Sequence, residues 1–268
     1  MAKTFWRILF AVSLMIIFYY LLWTTTYVPP RKPQSLNRTL GFDHIYVVNL
    51  LWRLDRRERM ETLGNALDLD FEFFSGVSKY DYRALKNYNF SMSIDQKACF
   101  ASHYEIYRSI IKSGYRNALI LEDDVDIELN ITSVMSEIHH VLPQYWDLLY
   151  IGHCSKDNSK PLDKESTSAF KLYHSVSPYC THAYAVSSTG ARKLAELIVH
   201  PHRPIDLELA RWIRKKKLIS YSVSPSAIIQ WKSKYNPSDI PRSGRTIGYR
   251  LKNSTLKSLG YKKNIIIN

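Results

Sequence analysis

The sequence predicts an α/β domain with a mostly parallel central sheet, preceded by one N-terminal transmembrane helix. Strand-like and helix-like patterns alternate from residue 44 to residue 225, the order expected of a parallel sheet covered by helices. The apolar run at residues 118–121 does not alternate with polar residues, as in a strand buried on both faces. Residues 8–28 contain no charged side chain, which predicts the transmembrane helix.

This N-terminal segment has the length of a signal anchor. As a helix, residues 8–28 would extend roughly 31 Å, about the thickness of a bilayer core. Trp6, Trp23 and Tyr27 flank the run, as interfacial aromatic residues do. A cleaved signal peptide is the alternative, but the apolar region is long for one and no small-residue cleavage site follows it. We therefore interpret residues 1–28 as cytosolic tip and anchor, and the proline-containing residues 29–42 as a stem.

N-glycosylation sequons favour a lumenal location for the body of the chain. Four of them begin at Asn37, Asn89, Asn130 and Asn253, whereas Asn236 is followed by proline and does not count. The sequence thus predicts a single-pass type II protein of the Golgi or ER membrane.

The three cysteines agree with an oxidising compartment. Cys154 follows a predicted strand and Cys180 precedes another, so a bridge between them and two separate thiols are both open interpretations. Cys99 lies in a helical pattern and is expected to be a small buried residue.

The net charge of +13 is concentrated near the C-terminus, where residues 227–268 carry nine Lys/Arg and one Asp. Basic tails are typical of nucleic-acid binders, but a lumenal protein meets no nucleic acid. Phosphate-bearing small molecules, acidic glycans or lipid headgroups are the expected partners, and a solvated tail is the alternative. We assign residues 43–230 to the catalytic domain and residues 231–268 to this basic tail.

The elements of the domain follow in order along the chain. Strands are predicted at residues 44–50, 71–76, 117–125, 147–152, 169–175, 181–188 and 218–225. Helices are predicted at residues 55–67, 98–113, 133–142, 189–200 and 204–216. Ser93 and Gln96 form a capping box before the second helix, and Gly114 ends it.

A cluster of carboxylates follows the buried strand at Glu122, Asp123, Asp124 and Asp126. Four like charges are unfavourable away from water unless a cation compensates them. Ligands bind beyond the carboxyl ends of such strands, and carboxylates select Mg²⁺ or Mn²⁺, so the cluster favours a metal-bound diphosphate. Alternation puts Glu122 and Asp124 on one side and Asp123 on the other; convergence of all three through the turn after the strand is the alternative. The alternative is a solvated acidic loop, and Asp126 is the member expected to be merely solvated.

Six blocks, taken in order, resemble glycosyltransferase family 25: HIYVVNLLWRLDRRERM, CFASHYEIYRSII, ALILEDDV, WDLLYIG, THAYAVSSTGARKL and PIDLEL with LISYSVSP. This family includes lipooligosaccharide galactosyltransferases and the collagen hydroxylysine galactosyltransferases. The resemblance spans residues 44–230. It implies a GT-A-type nucleotide-sugar-binding domain, a UDP-sugar donor (often UDP-galactose), a glycan or glycoprotein acceptor, inversion at the anomeric carbon, and Mn²⁺ or Mg²⁺ at the acidic triplet.

The resemblance also implies roles for the acidic residues. Asp124 is the expected main metal ligand, with Glu122 and Asp123 nearer the ribose and the donor sugar. Glu122 is a second candidate ligand, and His182 is a candidate metal or diphosphate partner.

Other residues are implied in nucleotide binding and proton transfer. Asn49 and Arg53 match the nucleotide-facing turn, with an ordinary helix start as the alternative. His103 matches a donor-site histidine, although a hydrogen-bonded core histidine is the alternative. Asp206 is the candidate general base, since an inverting transfer needs a carboxylate near the attacking hydroxyl; a helix-terminal Asp favoured by the macrodipole is the alternative.

The sequence therefore predicts a membrane-anchored, UDP-sugar-dependent hexosyltransferase, with galactose as the first candidate sugar. A catalytically inactive, membrane-anchored glycan-binding or scaffold protein on the same fold is the alternative from another class. A metal-dependent phosphohydrolase is disfavoured, because no DxDxT nucleophile motif surrounds Asp123.

Overall fold

The computed structural model describes residues 15, 36–86, 88, 91–155, 160–163, 168–232 and 250–262. The chain divides into two compact units, Met1–Gln34 and Ser35–Asn268. No helix within the described residues has the length and apolar character needed to cross a membrane. The predicted anchor, apart from Met15, and half of the predicted stem, residues 29–35, lie outside those residues, as does Asn89.

The nine strands of the described residues form two sheets. Their bounds are β1 (His44–Asn49), β2 (Glu72–Ser75), β3 (Asn117–Glu122), β4 (Val125–Ile127), β5 (Leu148–Gly152), β6 (Lys171–His174), β7 (Ala183–Ser187), β8 (Ser220–Ser224) and β9 (Ile228–Gln230). The large sheet has the order β2-β1-β3-β7-β5-β8-β6, and β4 pairs with β9 in a small one. In the large sheet β6 and β7 run against the other five strands. The predicted mostly parallel α/β sheet is confirmed.

The helices within the described residues also match the predicted order, with two short additions. Their bounds are α1 (Leu54–Leu67), α2 (Tyr82–Leu85), α3 (Ile94–Ser113), α4 (Ile131–Val141), α5 (Ser188–Leu197), α6 (Ile205–Arg214) and α7 (Thr255–Ser258). The predicted capping box starts α3. Ser93 Oγ accepts the Gln96 N–H, and Gln96 Oε1 accepts the Ser93 N–H. Gly114 ends this helix at a φ of 70°, which glycine adopts without strain.

Helices cover both faces of the sheet, which explains the uninterrupted apolar run in β3. Leu119 and Leu121 belong to one core cluster, with side chains from α1 and α4. Ala118 and Ile120 belong to the other, with side chains from α3, α5 and α6. Successive side chains of β3 point to opposite faces of the sheet, and both faces are buried. No position along β3 therefore needs to be polar until the strand ends at Glu122.

Two buried carboxylates hold the last described segment, residues 250–262, against β4. Asp126 accepts the Leu256 N–H at 3.1 Å and a bond from the Ser254 hydroxyl. Glu128 accepts the N–H groups of Lys252 and Asn253 at 3.0 and 2.6 Å. The prediction that Asp126 is merely solvated is wrong, because it is 1% exposed and satisfied by these donors.

We expect Asp126→Ala to lower the free energy of unfolding by roughly 3 kcal/mol, since buried backbone donors lose a charged acceptor. The measurement is urea denaturation, with limited proteolysis to detect release of residues 250–262. Asp70→Ala, at an exposed position, is the control and should change stability little. Equal stability of the two variants would contradict a structural role for Asp126.

Candidate active site

A pocket of about 320 Å³ opens where β1, β2 and β3 end. This is the edge of the sheet at which α/β folds bind ligands. Residues that follow β1 and β2, the N-terminal half of α3 and the acidic turn after β3 line it. Trp52 and Tyr80 also line it while remaining 52% and 71% exposed. The pocket therefore combines an aromatic mouth with a carboxylate-bearing wall.

Glu122 is the last residue of β3 and continues the face of the strand that packs on α3. Its Oε1 accepts a bond from Thr181 Oγ1 at 3.0 Å, and its Oε2 accepts one from Gln230 Nε2 at 3.3 Å. The Nε2 atom of His103 lies 3.7 Å from Oε1. Burial opposes ionisation of Glu122, but the imidazoles of His103 and His182 and the Thr181 hydroxyl outweigh it and lower the pKa of this carboxyl.

Asp123 points to the other side, as the alternation predicts. Its Oδ1 accepts a bond from Arg56 Nη1 at 2.7 Å, and its Oδ2 accepts one from Asn49 Nδ2 at 2.8 Å. Arg59 Nη2 donates to the Asp123 backbone carbonyl at 3.1 Å. The acidic turn is thereby tied to β1 and α1, and both carboxylate oxygens of Asp123 already have protein partners.

Asp124 completes a carboxylate pair with Glu122. It is 4% exposed and receives a long bond of 3.5 Å from Gln230 Nε2, the same amide nitrogen that contacts Glu122. Burial raises the pKa of Asp124, and the Glu122 charge raises it further. Two carboxylates that repel each other at the wall of a pocket suit a divalent cation, because hard oxygen ligands select Mg²⁺ or Mn²⁺ and the cation would relieve the repulsion.

The predicted nucleotide-facing residues of the first turn have protein partners in this structure. Asn49 is buried and donates to Asp123 and, at 3.3 Å, to the Arg53 carbonyl. Arg53 pairs with Asp55 at 2.9 Å. Asn49 thus positions the acidic turn, and contact of either residue with a nucleotide stays a prediction.

The two predicted site histidines are both buried, but only His103 lines the pocket. Its Nδ1 lies 2.9 Å from the Tyr184 hydroxyl. His182 donates from Nε2 to the Ile228 carbonyl at 3.1 Å, and burial lowers its pKa to about 4. His182 is therefore neutral at pH 7, with its lone pair on Nδ1, and its predicted role at the metal stays a prediction.

Asp206 stands at the start of α6 and is linked to Glu122 through a short segment. Its Oδ2 accepts the Cys180 N–H at 3.3 Å, while the adjacent Thr181 donates to Glu122. Cys180 also forms a disulfide with Cys154. The sequence had left open whether these two cysteines are bridged or are separate thiols, and the structure shows the bridge. Burial raises the pKa of Asp206, and the Glu122 charge adds to that rise.

Residues 42–208, more than half of the chain, match the sequence profile described as glycosyltransferase family 25 (LPS biosynthesis protein). The chain belongs to glycosyltransferase family 25. The acidic turn, α3 and the N-terminus of α6 all fall within the matched residues, whereas Gln230 lies beyond them.

Three family relatives are 29–30% identical to this chain. Procollagen galactosyltransferase 1 of Danio rerio is 29% identical over 58% of this chain and 28% of its own length. The probable inactive glycosyltransferase 25 family member 3 of Bos taurus is 30% identical over 65% and 31%. A glycosyltransferase 25 family member of Drosophila melanogaster is 30% identical over 61% and 29%. The chain spans less than a third of the length of these relatives, and their names include both a transferase and an inactive protein.

A solved structure, the crystal structure of A197 from STIV, aligns with 75% of this chain and 98% of that chain. Its 13% identity and TM-score of 0.35 are too low to support a statement about this site.

Sequence reasoning missed two side chains of this family 25 site. Arg56 belongs to a run of arginines at the start of α1, but nothing in that run distinguishes the one that pairs with Asp123. Gln230 lies 106 residues beyond Asp124 and reaches it because β9 pairs with β4. A single amide at the end of a short strand gives no sequence signal.

Proposed function

We propose that this chain is a membrane-anchored glycosyltransferase that transfers a hexose, galactose first, from a UDP-sugar to a hydroxyl of a glycan or glycoprotein. The transfer is metal-assisted and inverts the anomeric carbon. The observation that carries the proposal is the Glu122–Asp124 carboxylate pair at the wall of an open pocket, inside the residues that match family 25.

The pocket suits a nucleotide diphosphate in shape and charge. Trp52 and Tyr80 offer exposed aromatic faces at its mouth, which suit stacking with a uracil or a sugar ring. Arg56 and Lys79 bring positive charge to the lining, each already balanced by a carboxylate, Asp123 and Asp95 respectively. A diphosphate would add negative charge beside Glu122 and Asp124, so its binding needs a further cation.

Glu122 and Asp124 are the residues that would hold this cation. A divalent ion bound there supplies charge neutralisation for the diphosphate as the nucleotide leaves. Glu122 is favoured as a carboxylate by its neighbours, and Asp124 becomes easier to ionise once a cation is present. Gln230 spans both carboxylates and fixes their orientation.

Asp206 is the proposed general base. In an inverting transfer the acceptor oxygen bonds to the anomeric carbon as the bond from that carbon to UDP breaks, and the acceptor proton passes to a carboxylate. Burial raises the pKa of Asp206, which makes this carboxylate a better proton acceptor than an exposed one. The backbone N–H groups of Cys180 and Leu207 hold its oxygens in place.

The competing function is a catalytically inactive, membrane-anchored glycan-binding or scaffold protein, and two relatives are named as inactive or probable inactive family members. The repulsion between the buried Asp124 and the partly buried Glu122 argues against it, because a protein without a cation to bind gains nothing from that repulsion.

The test is to incubate the full-length protein with a panel of UDP-sugars and Mn²⁺ and to measure release of UDP. We expect release from UDP-galactose or a close hexose analogue, and none after chelation of the metal. No release from any donor, together with no UDP binding, would leave the inactive alternative.

Membrane anchoring and a lumenal domain predict glycosylation. Asn37, Asn130 and Asn253 are exposed, so endoglycosidase treatment of the protein from eukaryotic cells should lower its apparent mass. Deletion of residues 1–28 should release the protein from membranes. Asn236→Gln is the matched control, since proline follows it, and should not change the glycan mass. An unglycosylated protein that stays soluble at full length would contradict this part of the proposal.

A further inference from the structure

A thiol, an imidazole and a carboxylate meet beside the acidic pair. The Cys99 sulfur, a ring nitrogen of His103 and a carboxylate oxygen of Glu122 lie within 4.8 Å of one another. Cys99 and His103 are four residues apart on α3 and therefore share one face of the helix, and all three residues line the pocket. Cys99 is a free, partly buried thiol. The set is thus open to an ion from the pocket.

His103 is held in the orientation that metal ligands need. Its Nδ1 contacts the Tyr184 hydroxyl at 2.9 Å, which leaves Nε2 directed toward Glu122. This Nε2 is buried and has no hydrogen-bond partner among the described residues, because its 3.7 Å separation from Glu122 Oε1 exceeds a normal hydrogen bond. Buried ring nitrogens are rarely left without a hydrogen-bond partner, so Nε2 of His103 points to a missing ligand.

The separation of the His103 and Glu122 ligand atoms is close to what a small tetrahedral ion requires, and the Cys99 sulfur lies within 4.8 Å of both. Metal bonds of about 2.0–2.3 Å at tetrahedral angles place neighbouring ligand atoms roughly 3.3–3.6 Å apart. The Nε2–Oε1 distance of 3.7 Å is near that range. Tyr184 on His103 and Thr181 on Glu122 also supply the outer hydrogen bonds that usually orient ligating imidazoles and carboxylates.

The chemistry of the set selects a different class of ion from the acidic pair. A thiolate and an imidazole favour Zn²⁺ over Mn²⁺ or Mg²⁺. Three protein ligands with one position left open is the arrangement of zinc sites that bind a further molecule. We propose that Cys99, His103 and Glu122 bind one zinc-class divalent cation, whose fourth coordination position faces the pocket.

This site shares Glu122 with the proposed donor site but does not include Asp124. Zinc binding consequently draws Glu122 away from the oxygen-only cation site, and Zn²⁺ should suppress Mn²⁺-supported UDP release. That consequence depends on the proposed function, whereas zinc binding itself does not.

The test is a spectroscopic titration of the full-length, metal-free protein with CoCl₂, a reporter for zinc sites. A free-thiol assay must first find one thiol per chain, which ensures that the Cys154–Cys180 disulfide is intact and that only Cys99 can supply a thiolate. We expect a thiolate-to-cobalt charge-transfer band that saturates at one ion per chain and disappears when Zn²⁺ is added.

The variants separate this site from the acidic pair. Cys99→Ser and Cys99→Ala should abolish the band, and circular dichroism will show which of the two keeps its fold. His103→Ala should weaken cobalt binding at least tenfold. Asp124→Asn is the matched control and should keep the band even if it loses Mn²⁺-dependent activity. Absence of the band in the wild-type protein, its survival in a folded Cys99 variant, or its loss in Asp124→Asn would each overturn the proposal.

Discussion

Asp124→Asn is expected to reduce glycosyl transfer roughly a thousandfold. The change removes one of two anionic oxygen ligands, and a metal ion contributes several kcal/mol to stabilisation of a leaving phosphate. Burial and then the repulsion with Glu122 raise the pKa of Asp124. The neutral amide avoids the cost of a buried charge and the repulsion, so the folded protein should be no less stable than the wild type. Turnover of UDP-galactose and Mn²⁺ affinity measured on the same preparation test both effects.

Asp95→Asn is the matched control for this variant. Asp95 lines the same pocket and carries the same charge, but it pairs with Lys79 and stands apart from the carboxylate pair. It should keep Mn²⁺-dependent UDP binding, while Asp124→Asn loses it and excess metal restores it only in part. A fully active Asp124→Asn protein would return the acidic turn to a purely structural role.

Asp206→Asn is expected to lower turnover by about 10²–10⁴-fold, the usual contribution of a positioned proton acceptor. The N–H groups of Cys180 and Leu207 donate to different oxygens of Asp206. Asparagine keeps one of these acceptors as its carbonyl oxygen and so retains one of the two bonds, and the remaining contacts of α6 should keep its N-terminus in position. UDP and Mn²⁺ affinities should stay near the wild-type values. The two aspartate variants therefore separate by calorimetry, since of the two only Asp124→Asn should fail to bind Mn²⁺.

Glu208→Gln is the comparison for the base assignment. Glu208 is buried, contacts Arg211 at 3.3 Å and accepts the His202 N–H, so it is engaged within its own region of the fold. Its replacement should affect stability more than turnover. Full activity of Asp206→Asn would show that Asp206 is not the general base. A larger loss of turnover in Glu208→Gln than in Asp206→Asn would assign the general base to Glu208.

The sequence was sufficient for the features of the fold that depend on local pattern. An apolar run that ends in acids predicted β3, although the predicted strand extended to residue 125 and the structure ends it at Glu122. The capping box at Ser93 predicted the start of α3. Period-two alternation also separated Asp123 from Glu122 and Asp124. These features were predictable because neighbouring residues determine them.

The remaining features depend on contacts between residues far apart in the chain. The docking of residues 250–262 relies on Asp126 and Glu128 accepting backbone N–H groups, and backbone donors leave no pattern in a sequence. The pairing of β4 with β9 brings Gln230 to Asp124. This contact between distant residues also leaves no pattern in the sequence. Cys99 was expected to be a small buried residue. Its four-residue spacing from His103 puts both on one face of α3, but only the packing of α3 against β3 brings them to Glu122.

The measurement that tests the central proposal most directly is calorimetric titration of UDP into the full-length protein with and without Mn²⁺. Metal held by Glu122 and Asp124 predicts UDP binding that depends on Mn²⁺ in the wild type and is lost in Asp124→Asn. UDP affinity that is the same with and without Mn²⁺, or no binding under either condition, would contradict a metal-assisted UDP-sugar site at the end of β3.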